Sequence, residues 1–256
     1  MKSNGIGRIL SIARIELIKY FRQPMVIVFA VVFPGFWIIM NGLMYGNDPS
    51  PLFKGIGTID YMLPAYSFLI ILVTGLSSLP QTMAKNIETG VIRRYAYTPI
   101  KKHEFLLGII LGNIIASSIS LMVLFSIALI KYDVAVPIRV SSILLFIITF
   151  MFISVGICSF GLMIANIVKG FQSALSVSLL IYFALLFLSG CSVPLEILPK
   201  GFQDVTSYIP FTHMVRFLQN IWLERSEKMG LYCGSTIIFS LLFIALSIKS
   251  FKWVKR

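Results

Sequence analysis

Long apolar runs separated by short polar segments set the pattern of hydrophobic and polar positions along the chain. A membrane-spanning helix needs about 20 mostly apolar residues to cross roughly 30 Å of hydrocarbon. The pattern therefore predicts an all-α membrane protein with six transmembrane helices, in which residues 1–256 form a single transmembrane domain. The predicted spans are residues 25–45, 61–83, 105–130, 140–167, 171–191 and 231–248.

Residues 5–22, ahead of the first run, have the pattern of an amphipathic helix. Arg8, Lys19 and Arg22 lie opposite an apolar face with helical spacing, which is formed by Ile6, Ile9, Leu10, Ala13, Leu17 and Tyr20. We interpret this segment as an interfacial helix at the cytoplasmic surface of the membrane. Three isoleucines interrupt its polar face, so the helix can also contact protein.

A basic segment, residues 84–104, separates the second apolar run from the third and contains five of the 22 Lys and Arg residues. A short helix is expected over residues 84–98, with Asn86 able to cap its start and Gly90 weakening it. The Thr-Pro pair at 98–99 should end this helix, because the residue before a proline avoids the α region. The proline then suits the first position of the next helix. The alternative is a loop whose positive charge only fixes the topology.

The cationic residues are divided unevenly between the two sides that six spans create. The N-terminus, residues 84–104, residues 168–170 and the C-terminus together contain 15 cations and three acids, and the other connections contain seven of each. The positive-inside bias predicts that the first group faces the cytoplasm, which places both termini there in a multi-pass plasma-membrane protein. In a soluble protein a pI near 9.8 would indicate nucleic-acid binding. Here the charge distribution indicates membrane topology, and no nucleic-acid partner is expected.

The predicted spans contain no ionisable residue well inside their apolar stretches. Ion-coupled carriers and channels generally need ionisable or carbonyl-lined sites at depth, so this class is disfavoured. Neutral polar residues are present, above all in the Ser-rich third and fifth spans. Such residues serve mainly for helix packing, with the lining of a substrate path as the alternative. Gly108 and Gly112 have the GxxxG spacing of a helix contact face, a pattern that also arises by chance.

Sequence motifs of enzyme chemistry are absent: the chain has no GxxxxGKS/T phosphate loop, no HExxH and no GxSxG. His103 and His213 have no Cys or acidic neighbours at metal-ligand spacing. The chain is therefore not expected to be an enzyme or to bind a metal or cofactor of its own. Cys191 and Cys233 fall near the ends of two spans, and the sequence leaves open whether they pair.

Residues 192–230 are neither a span nor an ordinary loop. Three prolines divide the segment, and residues 200–208 and 211–224 can each form a short apolar helix. Both are too short to cross the bilayer, so they are expected to re-enter it partway or to lie in the outer interface. The alternative is a small outer cap on the bundle.

Two stretches of the chain match a known family. In one, Glu-Thr-Gly at 88–90 is followed by Thr-Pro at 98–99. In the other, SGCSVPLEILP at 189–199 is followed by Pro-Phe-Thr at 210–212. Together with the order of helix, two spans, basic segment, three spans, outer segment and last span, the whole chain resembles the permease subunit of an ABC-2 type exporter. It departs from the family at 85–86, where Lys-Asn stands in place of the usual acids.

The resemblance implies a permease that pairs with a second copy of itself or with a homologous permease, and that binds two cytoplasmic ABC ATPase subunits. ATP and Mg²⁺ would be bound by those partners, so the energy for transport would arrive in trans. The resemblance also identifies residues 84–98 as the coupling helix that docks on the ATPase, and residues 166–172 as a second, smaller contact. The residues it assigns to ATPase coupling are Glu88, Gly90, Arg93, Arg94, Tyr97, Thr98, Pro99 and Lys169.

The apolar character of the spans favours export of an amphipathic or hydrophobic compound, such as a drug, an antibiotic or a lipid-like molecule. A strongly charged substrate would lose its hydration in such a path without gaining partners. Export of a polysaccharide is the alternative, favoured by the serines of the third and fifth spans, and a non-transporting membrane assembly protein is an alternative of another class. The residues expected to line the path are Ser117, Phe160, Tyr182, Phe183 and Phe187.

Overall fold

Helices account for the regular structure of the described residues. The computed structural model describes residues 5–53, 55–251 and 253, without the side chains of Met25 and Leu52. Among these residues no β-strand is formed, and six helices are long and apolar enough to cross a membrane. The predicted all-α class with six spans is therefore confirmed.

The helices follow the predicted order. They are α1 Gly5–Phe21, α2 Pro24–Ile27, α3 Phe33–Tyr45, α4 Thr58–Leu72, α5 Leu79–Glu88, α6 Val91–Ala96, α7 Lys102–Tyr132, α8 Val140–Ile167, α9 Phe171–Leu188, α10 Lys200–Thr206, α11 Pro210–Trp222 and α12 Met229–Ser250. We number as spans 1 to 6 the membrane-length segments Val28–Tyr45, Thr58–Glu88, Lys102–Tyr132, Val140–Ile167, Phe171–Leu188 and Met229–Ser250. Short π-helical turns lie inside spans 1 and 2, at Val28–Val32 and Val73–Ser78.

Span 2 lies at the centre of the bundle. In its most apolar stretch 89% of the residues are buried, compared with 22–50% in the other spans. Span 2 therefore has almost no surface for lipid, and several of its polar side chains form hydrogen bonds inside the protein. Ser67 donates to the carbonyl of Leu63 at 3.2 Å. The Thr74 hydroxyl shares a 2.8 Å hydrogen bond with Ser117 of span 3, so these two residues join neighbouring helices.

The π-helical turn of span 2 packs closely against span 4. A Cβ added at Gly161 of span 4 would overlap the carbonyl oxygen of Gly75, which lies in that turn. The two backbones approach this closely because glycine has no side chain. The contact fixes the middle of span 2 against the last third of span 4.

The N-terminal helix α1 packs along α7, the helix of span 3. A Cβ added at Gly108 would lie 2.6 Å from Ile12 Cβ, and one at Gly112 would lie 2.8 Å from the nearest atom of α1. Further along, the Tyr20 hydroxyl forms a 2.9 Å hydrogen bond with Ser120 Oγ. The GxxxG spacing thus marks a real contact face, and α1 is the helix that occupies it.

The buried face of α1 differs from the expected one. Ile12, Ala13 and Tyr20 are buried, whereas Ile6 and Leu10 are exposed although both were assigned to the apolar face. The close approach of α1 to Gly108 and Gly112 of α7 accounts for the difference. Ile12 and the small Ala13 lie on the side of α1 that meets these glycines, so that side is the buried one. Helical periodicity identifies an apolar stripe but does not show which part of the stripe meets protein.

The polar connections gather at the two ends of the bundle. At one end, contacts join α1 to the 84–104 segment, that segment to the first residue of α9 after the 168–170 turn, and Phe105 near the start of α7 to Phe251 directly after α12. At the other end, hydrogen bonds join the connections 46–57, 133–139 and 189–228. We call the first the basic end, because its segments contain most of the Lys and Arg residues, and the other the opposite end. The charge distribution predicts that the basic end faces the cytoplasm.

The connection after span 5 forms two short helices, α10 and α11. Each starts within one residue of its predicted position and ends two residues before its predicted end. In α11 the side chains of Met214 and Leu218 are fully buried, because this helix packs against α4, α8 and α12. α11 is therefore an integral part of the bundle, and its re-entry into the bilayer stays a prediction. The cysteines at 191 and 233 are both free thiols.

Candidate functional site

The basic segment forms two helices joined by a glycine turn. Span 2 continues through α5 to Glu88, Gly90 adopts a left-handed conformation with φ +75°, and α6 follows. The single helix expected over residues 84–98 is thus wrong, because the segment forms the end of one helix and a second short helix. Asn86 lies inside α5 and does not cap a helix. Glycine enters the left-handed region without the steric cost of a Cβ, which explains why the break falls at Gly90. The next helix, α7, starts at Lys102, so Pro99 does not occupy its first position as expected.

The two helices that flank α6 are longer than the hydrocarbon of a bilayer is thick. Spans 2 and 3 have 31 residues each, so as α-helices they are about 46 Å long. The hydrocarbon of a bilayer is about 30 Å thick, and helices of this length extend beyond it unless they tilt strongly. Because α6 connects their ends, it lies at the tip of this extension, where a soluble partner can reach it.

The turn after α6 is held by α1. The Arg8 guanidinium donates to the carbonyl of Pro99 at 2.5 Å and to Glu104 Oε2 at 3.2 Å. Glu104, which is buried, also accepts a hydrogen bond from Lys101 N at 2.9 Å. A buried carboxylate is tolerated when it is paired and hydrogen-bonded in this way. The N-terminal helix, the turn and the start of span 3 therefore form one connected unit.

One side of α6 is packed and the other is exposed. Ile92 is buried, and Tyr95 packs on Phe105 of span 3 with ring centroids 5.0 Å apart. Most residues predicted to couple to an ATPase are on the other side or in the following turn, and Tyr97 is 91% exposed. Three exposed cations, Arg93, Arg94 and Lys169, form no hydrogen bond or ion pair through their charged groups within the part of the chain that the structure describes. The exposed predicted residues are Glu88, Arg93, Arg94, Tyr97, Thr98, Pro99 and Lys169.

Glu88 connects the basic segment to span 5. Its Oε2 accepts a hydrogen bond from Phe171 N at 2.8 Å, at the first residue of α9. The preceding Gly170 has φ +85°, a conformation that favours glycine and turns the chain into that helix. The first amides of a helix have no partner within it, so the carboxylate of Glu88 acts as a cap supplied from another helix. The two connections predicted to contact an ATPase are thus bonded to each other.

A pocket of about 640 Å³ opens beside this bond. It lies between the end of α5, the 165–170 turn and the end of α12, and Glu88 and Lys169 are on its wall. Asn166, also on the wall, is buried and donates from Nδ2 to the carbonyl of Leu162 at 2.8 Å. The second predicted contact, residues 166–172, therefore faces the first across a cavity.

A polar cluster at the opposite end was not predicted from the sequence. The Tyr61 hydroxyl, at the start of span 2, donates to Glu196 Oε1 at 2.6 Å, and Arg216 of α11 donates both to that hydroxyl and, at 2.6 Å, to the same carboxylate oxygen. Gln219 Nε2 donates to the carbonyl of Tyr61 at 3.2 Å. The cluster ties the central span to the 189–199 stretch and to α11. In the sequence, only Glu196 within the family-like stretch pointed to this cluster. The periodicity of apolar residues could not show that Tyr61 and Arg216 are its partners.

The five residues expected to line a substrate path do not lie in one cavity. Ser117 and Tyr182 are buried between helices, and Phe160 stacks on Phe243 of span 6 with centroids 4.5 Å apart. Phe183 and Phe187 are half-exposed on the outside of span 5. None of the five lines the 640 Å³ pocket at the basic end.

Comparison with known proteins identifies the family of this chain. A family model described as ABC-2 type transporter matches residues 8–223, from the first turn of α1 to the end of α11. The chain belongs to the ABC-2 type transporter family. The chain is also 29% identical over 181 residues to ABC transporter G family member 20 of Dictyostelium discoideum. That alignment covers 71% of this chain and 24% of the relative, so the chain aligns with about a quarter of the relative's length. This ABC-2 chain is therefore a multi-pass membrane protein with the membrane architecture of ABC transporters.

Proposed function

We propose that this chain is the permease subunit of an ATP-driven exporter, with cytoplasmic ABC ATPase subunits docked on its basic end. The observation that supports this most directly is the exposed side of α6. It presents Arg93, Arg94 and Tyr97 at the tip of helices that extend beyond the membrane, and its packed side is fixed to span 3. A short, rigidly held helix with exposed positive charges is suited to docking on an acidic groove of a soluble protein.

The path from α6 into the membrane is short. α5 continues without interruption into the π-helical turn and then α4, and only the two-residue turn at Thr89 and Gly90 separates it from α6, so a displacement of α6 is passed to the central span across that turn. Glu88 and Arg8 add links to spans 5 and 3. Force applied at the docking surface would therefore reach most of the bundle through hydrogen bonds and continuous helix, which is what energy coupling in trans requires.

The remaining parts of the proposal follow family membership. Two ATPase subunits hold the ATP and Mg²⁺, and this chain supplies the passage without hydrolysing ATP. A second copy of the chain, or a homologous permease, completes the passage, which fits the separate positions of the five predicted path residues within the described part of the chain. The complex resides in the plasma membrane with the basic end in the cytoplasm, as the charge distribution predicts.

We propose an amphipathic or hydrophobic compound as the substrate. The serines that favoured a polysaccharide mostly bond within their own helices: Ser117, Ser118 and Ser120 donate to carbonyls four residues earlier, at 2.8–3.1 Å. Such hydroxyls are already satisfied and offer little to a sugar chain. The half-exposed Phe183 and Phe187 on span 5 instead present an apolar surface.

The docking proposal is tested by reversing charge on α6. The permease in lipid nanodiscs is titrated with the purified ABC ATPase encoded nearest to it in the same genome. The Arg93→Glu/Arg94→Glu variant should bind about tenfold more weakly or worse, because like charges then face each other. The matched control, Lys131→Glu/Arg139→Glu, reverses two exposed cations at the opposite end and should bind as the wild type does.

Absence of any binding by the wild-type permease, with no change in the ATPase's turnover, would contradict the proposal and favour an assembly protein. The substrate is tested by expressing both subunits in a drug-sensitive host and measuring resistance to a panel of amphipathic antibiotics. A deletion strain is scored in parallel for surface glycan. Unchanged resistance together with lost glycan would replace the hydrophobic substrate by a polysaccharide.

A further inference from the structure

The pocket at the basic end contains a buried hydrogen-bond acceptor that lacks a donor. Asn166, on its wall, is 6% exposed, and its Nδ2 is engaged by the carbonyl of Leu162. Among the described residues, none donates to Asn166 Oδ1. Leaving a buried acceptor unpaired is unfavourable, so the site favours an occupant that brings an N–H or O–H group.

The other residues of the pocket restrict the chemistry of that occupant. Its walls include the apolar side chains of Ala84, Ile87 and Ile167, which favour an apolar body. Lys169 and Lys249, both exposed, stand at its edge and disfavour a cation such as Lys or Arg. A fully ionised phosphate or carboxylate group has no proton to donate to Asn166. A neutral donor on an apolar body, flanked by acidic groups, satisfies all three conditions.

We propose that this pocket is a socket for a tyrosine or tryptophan side chain on an acidic segment of the ATPase. Tyr and Trp combine a large apolar ring with one O–H or N–H donor, and such side chains dominate the centres of protein interfaces. The pocket is continuous with the proposed docking surface, because Glu88 is on its wall and α6 begins three residues later. This proposal rests on the proposed function and identifies the second contact of the same partner.

Binding measurements test the socket with variants that fill it or remove its acceptor. Ile167→Trp places a bulky ring at the rim, and Asn166→Leu removes the acceptor while keeping the size of the side chain. Each should weaken binding of the ATPase in nanodiscs about tenfold, as expected for a lost buried hydrogen bond or a blocked anchor. Ile138→Trp, at an exposed isoleucine of the opposite end, is the matched control and should bind normally.

Photocrosslinking keeps the test independent of folding, because Lys249, at the edge of the pocket, is exposed and tolerates substitution. Benzoylphenylalanine at position 249 leaves the pocket open and should crosslink to the ATPase at a segment containing an aromatic donor beside acidic residues. If both variants bind the ATPase as tightly as the wild type does, or if the crosslinks form with lipid alone, the socket is overturned and the proposed function still stands. A wild-type permease that does not bind the ATPase at all would instead remove the proposed function.

Discussion

Glu88 occupies a position that its own helix disfavours. At the C-terminal end of α5 a carboxylate meets the negative end of the helix dipole. The same carboxylate accepts the amide of Phe171 at the positive end of α9, where a negative charge is favourable. This residue is therefore stabilised across two helices rather than within one. The resemblance assigned Glu88 to the ATPase contact, and the structure shows an intramolecular partner in addition.

The cap makes a prediction that separates these two roles. Glu88→Ala should lower stability by about 1 kcal/mol, because the first amide of α9 loses its acceptor, and should reduce substrate-stimulated ATP hydrolysis by the complex. Glu88→Gln keeps an acceptor oxygen and should restore most of both properties. Thermal unfolding and ATP turnover measure the two effects, with Thr89→Ala at the exposed neighbour as the control.

If Glu88→Gln is as defective in ATP turnover as Glu88→Ala while its stability is normal, the negative charge acts on the ATPase and the cap is secondary. Restoration of turnover by glutamine supports transmission through α9.

At the scale of elements, the contact between α1 and α7 depends on two glycines. Gly108 and Gly112 let the N-terminal helix approach the backbone of span 3, and Tyr20 and Arg8 fasten its two ends. Because Arg8 also holds the turn after α6, the position of α1 determines how firmly the docking surface is supported. Substitutions far from that surface should therefore affect it.

Gly108→Ala tests this support. The new Cβ would lie 2.6 Å from Ile12 Cβ and 3.0 Å from the carbonyl of Ile9, so α1 has to shift. Overpacking of this kind costs about 1–3 kcal/mol, which a lower thermal unfolding midpoint in detergent would report. Gly234→Ala in α12 meets open space and should leave the midpoint unchanged or slightly raised. An unchanged midpoint in Gly108→Ala would show that α1 moves aside at no cost and would contradict the supporting role of this contact.

The sequence predicted the elements better than their arrangement. Apolar length alone was enough to predict six spans, and the left-handed glycine was recognised as a weak point of the basic helix. Lipid is as apolar as a protein core, so hydropathy could not show that span 2 is enclosed or which face of α1 is buried. The bond between Glu88 and Phe171 joins residues 83 positions apart, and no local pattern reports such a pair.

At the scale of the whole molecule, charge and contacts divide the connections in the same way. The segments grouped by the positive-inside count are the ones that touch each other at the basic end, and the rest meet at the opposite end. The two observations are independent, since one uses residue counts and the other uses distances. The division of the chain is therefore shown, and its orientation in the membrane follows from the charge bias.

Cysteine labelling tests that orientation. Tyr97→Cys and Tyr208→Cys are suitable sites, because the native side chains are 91% and 84% exposed. In a background without the three native cysteines, an impermeant thiol reagent added to intact cells should label position 208 alone. In permeabilised cells, which serve as the control for reactivity, the reagent should label both positions. Labelling of position 97 in intact cells would reverse the orientation and move the docking surface outside.

The enclosure of span 2 limits how this protein can move. A helix with lipid on one side can slide or rotate at little cost, whereas one surrounded by close-packed side chains opens voids when it moves alone. Span 2 has neighbours along nearly its whole length and is pinned to span 4 where Gly75 meets Gly161. Motion received at α6 should therefore travel as a displacement of a whole group of helices. In the proposed pairing with a second permease, a passage that opens in this way would lie at the boundary between the two bundles, while the interior of each bundle stays shut.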